Sequence, residues 1–396
     1  MGSARRSQGV ALLAALFLAA LALRPQLLGV TPLLPEIDDD LGISHAVAGL
    51  LGTIPVLCMG LFAFPAGYVA GRFGTRAAMG ACLFAIAAFG VLRAVAPGAP
   101  LVLLLTLPIG VGMGLAGALM PVAVKERFPH RPAFASGVYV TGINLGAALA
   151  SALAVPIADA WGGWRAAMAV LSAATFLCFA AWLLLTPAAP RAGRPAEPVT
   201  PVRVPWRRAL VWGLVGIFGL QALIYYGLNS WLPDAFQEHG WSDQAAGALL
   251  ATMAICALPA GLVVPFMADR FGSRRQWLTL SSVLLIAGTL GIATLPDLGW
   301  AWVVLVGLGL GSIFPLVLTL PLDVAREPGE VGAVVALVLG AGYSIGALAP
   351  LALGAIRDAT GSYSASLWSL VGIAVVLLAS VLALSPRRLR PDAGRA

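Results

Sequence analysis

Charge is what this chain has least of. Only 10% of its 396 residues are Asp, Glu, Lys or Arg, against 60% that are hydrophobic, and the mean hydropathy is +0.93. A soluble domain carries about a quarter charged residues, so this chain cannot cover a surface for water and its solvent is lipid. A soluble enzyme, a nucleic-acid binder and a single-span receptor are thereby excluded. Cysteine is scarce as well: Cys58, Cys82, Cys178 and Cys256 all fall in apolar stretches, where a thiol is a small buried hydrophobe and not a disulfide or metal partner. The three histidines, His45, His130 and His239, lie between such stretches, and no paired carboxylates lie within one. An intramembrane enzyme therefore lacks its acid–base groups, no proton carrier is evident, and no metal or cofactor is expected. A cleavable signal peptide is missing too, because the first apolar stretch is too long and has no small-residue cleavage pattern.

What the chain does have is long apolar runs. One membrane-crossing helix needs roughly 20 residues and twelve need roughly 240, which leaves room for short connections. We place twelve spans at 10–34, 45–70, 77–96, 100–124, 133–158, 166–186, 208–232, 244–268, 277–296, 301–324, 331–356 and 364–385. With both termini in the cytoplasm, 20 of the 24 Lys and Arg residues fall on cytoplasmic segments, while Arg93, Arg165, Arg357 and the acidic cluster Glu36, Asp38, Asp39 and Asp40 fall outside. That asymmetry is the positive-inside pattern of a multi-pass protein of the inner (plasma) membrane, and it accounts for the net charge of +7 without a polyanion partner.

A segment rich in Pro, Arg and Ala at 188–206 reads as a cytoplasmic linker between two six-helix halves, 1–187 and 207–396. The halves repeat. A shift of 198 residues brings Leu34-Pro35-Glu36 onto Leu232-Pro233-Asp234 and Gly42 and Ser44 onto Gly240 and Ser242. It also brings Ala48-Gly49 onto Ala246-Gly247 and the run Arg72 to Arg76 onto Arg270 to Arg274. One offset for all these matches means parallel repeats, an all-α polytopic architecture with a substrate site expected where the halves meet.

Arg24 lies fourteen residues into the first span, about 21 Å along it, with Pro25 beside it to loosen the helix. A guanidinium at that depth is costly and functional by default, and every acidic side chain in the spans sits at a span end. An anionic or strongly dipolar substrate would supply the counter-charge to its planar fork; the alternative is satisfaction by backbone carbonyls and water. On the seventh span Gln221, Tyr225 and Asn229 recur every fourth residue and form one polar stripe, which either faces a cavity or bonds neighbouring helices. Tyr139 and Asn144 on the fifth span, Ser312 on the tenth and Tyr343 on the eleventh are further candidate ligands. The glycine-rich runs at 110–114, 307–311 and 340–342 lack the strand and lysine of a phosphate loop and read as surfaces where helices approach closely.

The loop Gly67-Tyr68-Val69-Ala70-Gly71-Arg72-Phe73-Gly74-Thr75-Arg76 resembles the G-x-x-x-D-R-x-G-R-R signature of the major facilitator superfamily. Gly71 stands where the family has Asp, whereas the second copy keeps the carboxylate as Asp269-Arg270 ahead of Arg274. The resemblance implies a gating role for Arg72, Arg76, Asp269, Arg270 and Arg274. Leu23-Arg24-Pro25 with Gly29-Val30 and Pro32-Leu33-Leu34-Pro35, Lys125-Glu126-Arg127-Phe128-Pro129, Gln221 with Tyr225-Tyr226, and Trp231-Leu232-Pro233 are similar to the cyanate and 2-nitroimidazole (CynX/NimT) transporter family of that superfamily. Likeness continues through Phe314-Pro315-Leu316, Gly342-Tyr343 and Asp358-Ala359-Thr360-Gly361, and so covers nearly the whole chain. Ala22 and the Gly340-Ala341 stretch replace family Asn and Gln residues, which removes polar groups.

The expectation is a monomeric secondary transporter or facilitator that moves a small anionic or compact polar solute by alternating access, anchored on Arg24. Uniport, anion exchange and symport with a substrate-borne proton all stay open. The rival within transport is a multidrug-type exporter of amphipathic compounds. A non-transporting receptor or scaffold would need a signalling domain, and neither the linker nor the short C-terminal tail holds one.

Overall fold

A chain dissolved in hydrocarbon must satisfy its backbone N–H and C=O groups within each segment, and helices do this. The computed structural model describes residues 2–128, 132–187, 208–271, 274–324 and 328–384, and among these every regular element is a helix. The chain divides into two compact units, Met1–Pro198 and Val199–Ala396. The first holds α1 (Gly2–Leu21), α2 (Pro25–Leu28), α3 (Leu34–Leu41), α4 (His45–Leu61), α5 (Ala66–Phe73), α6 (Thr75–Ala94), α7 (Ala99–Arg127), α8 (Pro132–Trp161) and α9 (Trp164–Leu185). The second holds α10 (Ala209–Glu238), α11 (Asp243–Phe271), α12 (Arg274–Thr294), α13 (Gly299–Val324), α14 (Pro328–Gly346), α15 (Leu348–Thr360) and α16 (Ser364–Ala383). The linker expected at 188–206 lies outside the described residues.

Eleven helical stretches are long and apolar enough to cross a membrane, and the bent pair α4–α5 makes a twelfth. The spans expected from the sequence are found, with shifted ends, a division of the eleventh at Ala347, and three differences that fall at prolines. The first span is assembled from pieces: Pro25, Pro32 and Pro35 each stand in the first turn of a new helical segment, where a missing N–H costs nothing. The second span, expected to be continuous over 45–70, bends by 68° between Leu61 and Ala66, just ahead of which sits Pro65. The seventh, expected to stop at 232, runs through Pro233 to Glu238 and carries Asp234 with it.

Within the first unit α1 packs on α8 and α9, α4 on α7, and α6 between α7 and α9. Within the second, α10 packs on α14 and α16, α11 and α12 on α13, and α12 on α16. Glycines permit these approaches. A Cβ at Gly110 or Gly114 of α7 would strike α4, at Pro55 Cα and at the Cys58 carbonyl, and one at Gly112 would strike Cys82 and Ile86 of α6. The second unit repeats the device on α13, where Gly307 and Gly311 abut Met253 and Ala257 of α11 and Gly309 abuts Ser281 of α12.

The sequence repeat is thus a structural one, down to its caps. Gly42 and Gly240 both take positive φ, 62° and 82°. Ser44 Oγ accepts from Val47 N–H as Ser242 Oγ accepts from Ala245 N–H. Arg72 and Arg270 each lie over the next residue, Phe73 at 5.7 Å and Phe271 at 6.0 Å. Carboxylates at the end of the first span of each unit also hold the start of its last helix. Glu36 accepts from Trp164 N–H, and Asp40 takes Trp164 Nε1 and Arg165 at 3.1 and 3.2 Å. In the second unit Glu238 accepts from Tyr363 N–H and pairs with Arg357, and the Tyr363 hydroxyl donates to Asp234. A carboxylate at a helix N-terminus meets unsatisfied N–H groups and the positive end of the dipole.

Candidate functional site

The first unit presents Arg24 at a break in its span. α1 tightens at its end, with Leu23 N–H donating to Ala20 O, and Pro25 has no N–H to continue the ladder. Arg24 lies sixteen residues beyond Gln8 and seventeen short of Leu41, the limits of the apolar stretch, which puts it at mid-span. Its own carbonyl accepts from Leu27 and Leu28, so Arg24 opens the short turn α2. The side chain is half-buried, and its Nη1 lies 3.7 Å from Met59 Sδ on α4. A thioether is a weak acceptor, so this contact positions the guanidinium and adds little energy.

The carbonyls exposed by the break find donors elsewhere. Leu28 O accepts from Thr31 Oγ1 at 2.9 Å and from Ser151 Oγ at 3.3 Å. Gln26 O accepts from Arg93 Nη2 at 3.0 Å. Arg93, counted from the sequence with the outside charges at the end of the third span, does not reach out from the unit. It sits in the last turn of α6 and is 1% exposed, its guanidinium folded into the unit against Gln26 Oε1 (2.8 Å), Thr106 Oγ1 (3.4 Å) and Met168 Sδ (3.5 Å). Gln26 Nε2 in turn donates to Ser172 Oγ at 2.9 Å. A charge near the end of an apolar run reads as one that reaches for water, and that hides the inward turn of Arg93. Gly90, one turn earlier, is a faint signal of it, since a Cβ there would strike Ser172 Oγ and the Gln26 amide. On α8, Tyr139 and Asn144 are half-buried, and among the described residues neither side chain makes a hydrogen bond.

In the second unit the stripe on α10 is only partly open. Gln221 is 5% exposed and among the described residues has no hydrogen-bond partner. Asn229 Nδ2 donates to Tyr225 O at 2.7 Å on its own helix. Tyr225 meets Tyr226 edge to face at 5.0 Å, and the cluster continues through Tyr343 to Phe218 and Phe314 at successive separations of 6.3, 5.1 and 5.8 Å. Gly342 makes room for it, since a Cβ there would enter the Phe218 ring. Ser312 donates to Leu308 O at 2.7 Å, again within its helix.

The basic loops divide by what they touch. Arg72 and Arg270 are exposed. Arg76 donates to Thr186 O at 2.6 Å and Leu183 O at 2.7 Å, closing the last turn of α9 where carbonyls and the negative dipole end await a cation. Arg274 reaches Thr319 O at 3.5 Å and Arg275 reaches Leu382 O at 2.7 Å. Asp269 lies in α11, and its side chain is outside those described. The carboxylate missing at Gly71 has a counterpart that the sequence does not suggest: Glu126 of α7 accepts from Thr75 Oγ1 at 2.7 Å. Arg76→Gln is expected to cost about 1–3 kcal/mol and lower the melting temperature of the purified protein, with Arg72→Gln close to neutral. Equal melting temperatures for the two variants would contradict this capping role.

Comparison with known proteins agrees with the helical repeat. The model of the Major Facilitator Superfamily matches residues 10–350 and 222–395. The cyanate transport protein CynX of Escherichia coli (strain K12) is 34% identical over 95% of this chain and 98% of its own length. The 2-nitroimidazole transporter of the same organism is 30% identical over 93% of both chains. Among solved structures, a bacterial homologue of the human lysosomal transporter Spinster, inward-facing and unoccupied, superimposes with a TM-score of 0.78 at 18% identity over 96% of each chain, a likeness of fold. The chain is a multi-pass membrane protein that belongs to the major facilitator superfamily, in the family of the cyanate and 2-nitroimidazole transporters.

Proposed function

We propose that the protein moves a small anion, or a compact polar solute of similar shape, across the inner membrane by alternating access, with both termini in the cytoplasm. The observation that carries this reading is Arg24, a half-buried guanidinium at mid-span on a turn where the helix is already interrupted. A planar fork of donors there suits a carboxylate-like, nitro or cyanate group. Tyr139 and Asn144 of the same unit are available for further hydrogen bonds, and Gln221 of the second unit, whose amide has no hydrogen-bond partner among the described residues, is a separate candidate ligand. The two relatives named above act on cyanate and 2-nitroimidazole, one an anion and the other a flat polar heterocycle. Arg76, Arg274 and Arg275 hold helix ends and would pass from one set of carbonyls to another as the transporter changes state. Arg72, Asp269 and Arg270 join them in that role.

Uptake into proteoliposomes decides the solute class. Cyanate and nitrate are expected to compete with one another for entry, and tetraphenylphosphonium is expected not to compete. Competition by the lipophilic cation with none by the anions would overturn the reading in favour of an exporter of amphipathic compounds. The aromatic cluster from Tyr225 to Phe314 favours one variant of the proposal, in which a flat heteroaromatic solute is taken; competition by 2-nitroimidazole would support it.

A further inference from the structure

Arg93 is the most deeply buried cation in the described part of the molecule, and nothing in the transport reading above uses it. It is 1% exposed, and among the described residues all of its partners are neutral: Gln26, Thr106 and Met168. Enclosing a guanidinium without a carboxylate is costly, and a hydrophobic side chain of similar volume would fill the space more cheaply. What the guanidinium does that a hydrophobe cannot is grip Gln26. One nitrogen, Nη2, donates to both the main-chain carbonyl and the side-chain oxygen of Gln26, at 3.0 and 2.8 Å. The amide nitrogen of Gln26 is held by Ser172, whose hydroxyl donates to Met168 O at 2.6 Å. Main chain and side chain of residue 26 are thus fixed together from α6 and α9.

Gln26 lies in the single turn that Arg24 opens, between Arg24 and the Leu27 and Leu28 amides that close on the Arg24 carbonyl. A turn interrupted by proline has few internal bonds to define its direction, so an outside clamp sets it. We infer that Arg93 is a positioning residue for Arg24: by clamping Gln26 it sets the direction in which the Arg24 guanidinium meets its anion. This inference rests on the reading of Arg24 as the anion anchor. Gly90 belongs to the device, because only a residue without a Cβ leaves the Gln26 amide its place beside Ser172.

The test measures cyanate affinity separately from stability, by thermal unfolding of the full-length protein across a cyanate titration. Arg93→Lys keeps the charge and loses the planar grip; it is expected to weaken cyanate binding roughly tenfold, as loss of an outer partner does elsewhere. Ser172→Ala, which removes one acceptor from the Gln26 amide and leaves Arg93 in place, is expected to weaken binding about threefold and serves if Arg93→Lys fails to fold. A purely structural role would lower the unfolding temperature without cyanate and leave the affinity alone, and that result from both variants overturns the inference. In an Arg24→Lys background, Arg93→Lys is expected to add less than about twofold, because its effect passes through Arg24. A full tenfold addition there would overturn the inference while the anchor reading stands. Unchanged cyanate affinity in Arg24→Lys alone would remove the anchor reading, and the inference with it.

Discussion

Arg24→Ala is expected to abolish cyanate uptake by proteoliposomes while leaving a folded, monodisperse protein. The loss follows from removing a charged donor pair in a low-dielectric setting, about 3 kcal/mol or a hundredfold and more in affinity. Folding is expected to survive because the turn after the break is held by other residues as well. The turn Pro25–Leu28 begins without any side-chain cap from Arg24, and its carbonyls are satisfied by Arg93, Ser151 and Thr31. Arg24→Lys should recover only a small part of the uptake, since an ammonium presents a point charge and not a planar fork. Normal uptake by the Ala variant would sink the proposal that Arg24 binds substrate.

Gly311→Leu is expected to prevent recovery of folded protein. A Cβ at Gly311 would meet the Ala257 carbonyl oxygen, with Ala257 Cα at 2.6 Å and its carbonyl carbon at 2.8 Å. These are backbone atoms of α11, so no rotamer change can clear them, and α11 and α13 must separate. Lipid tails are as apolar as leucine, so helices in a bilayer are held mainly by close van der Waals contact, which this substitution removes along the joint. The cost is of order 3 kcal/mol or more, at the upper end of overpacking effects. Gly117→Leu on α7 is the control, because nothing lies within 4 Å of its added Cβ. Yield of monodisperse protein and unfolding temperature read the difference; a Gly311→Leu protein as stable as Gly117→Leu would refute it.

Arg24 and the glycine runs are both legible in the order of the residues, in different ways. Arg24 and Pro25 are adjacent, so a costly charge and a helix break stand together in one apolar run. The glycine runs at 110–114 and 307–311 imply close approach without naming the helix approached. Gln221, Tyr225 and Asn229 share a face by their spacing, as any helix dictates. Their separate fates, a buried amide with no hydrogen-bond partner among the described residues, an aromatic contact and a bond back to the same helix, depend on neighbours.

Sequence by itself determined that the chain lies in lipid, how many times it can cross, that its halves repeat, and where a mid-span charge sits. Those are properties of composition, run length and order, and a helix expresses them without help from other helices. Tertiary structure alone decided that Arg93 turns inward, that Gln26 is its partner, and that Glu126 serves the loop that lacks an aspartate. It also decided that α4 and α5 part company at 68°. A side chain near a helix end can reach toward the lipid–water interface or fold into its own unit. The choice turns on donors and acceptors brought from distant positions, Gln26 from 67 residues before Arg93 and Met168 from 75 after it, which no local pattern records.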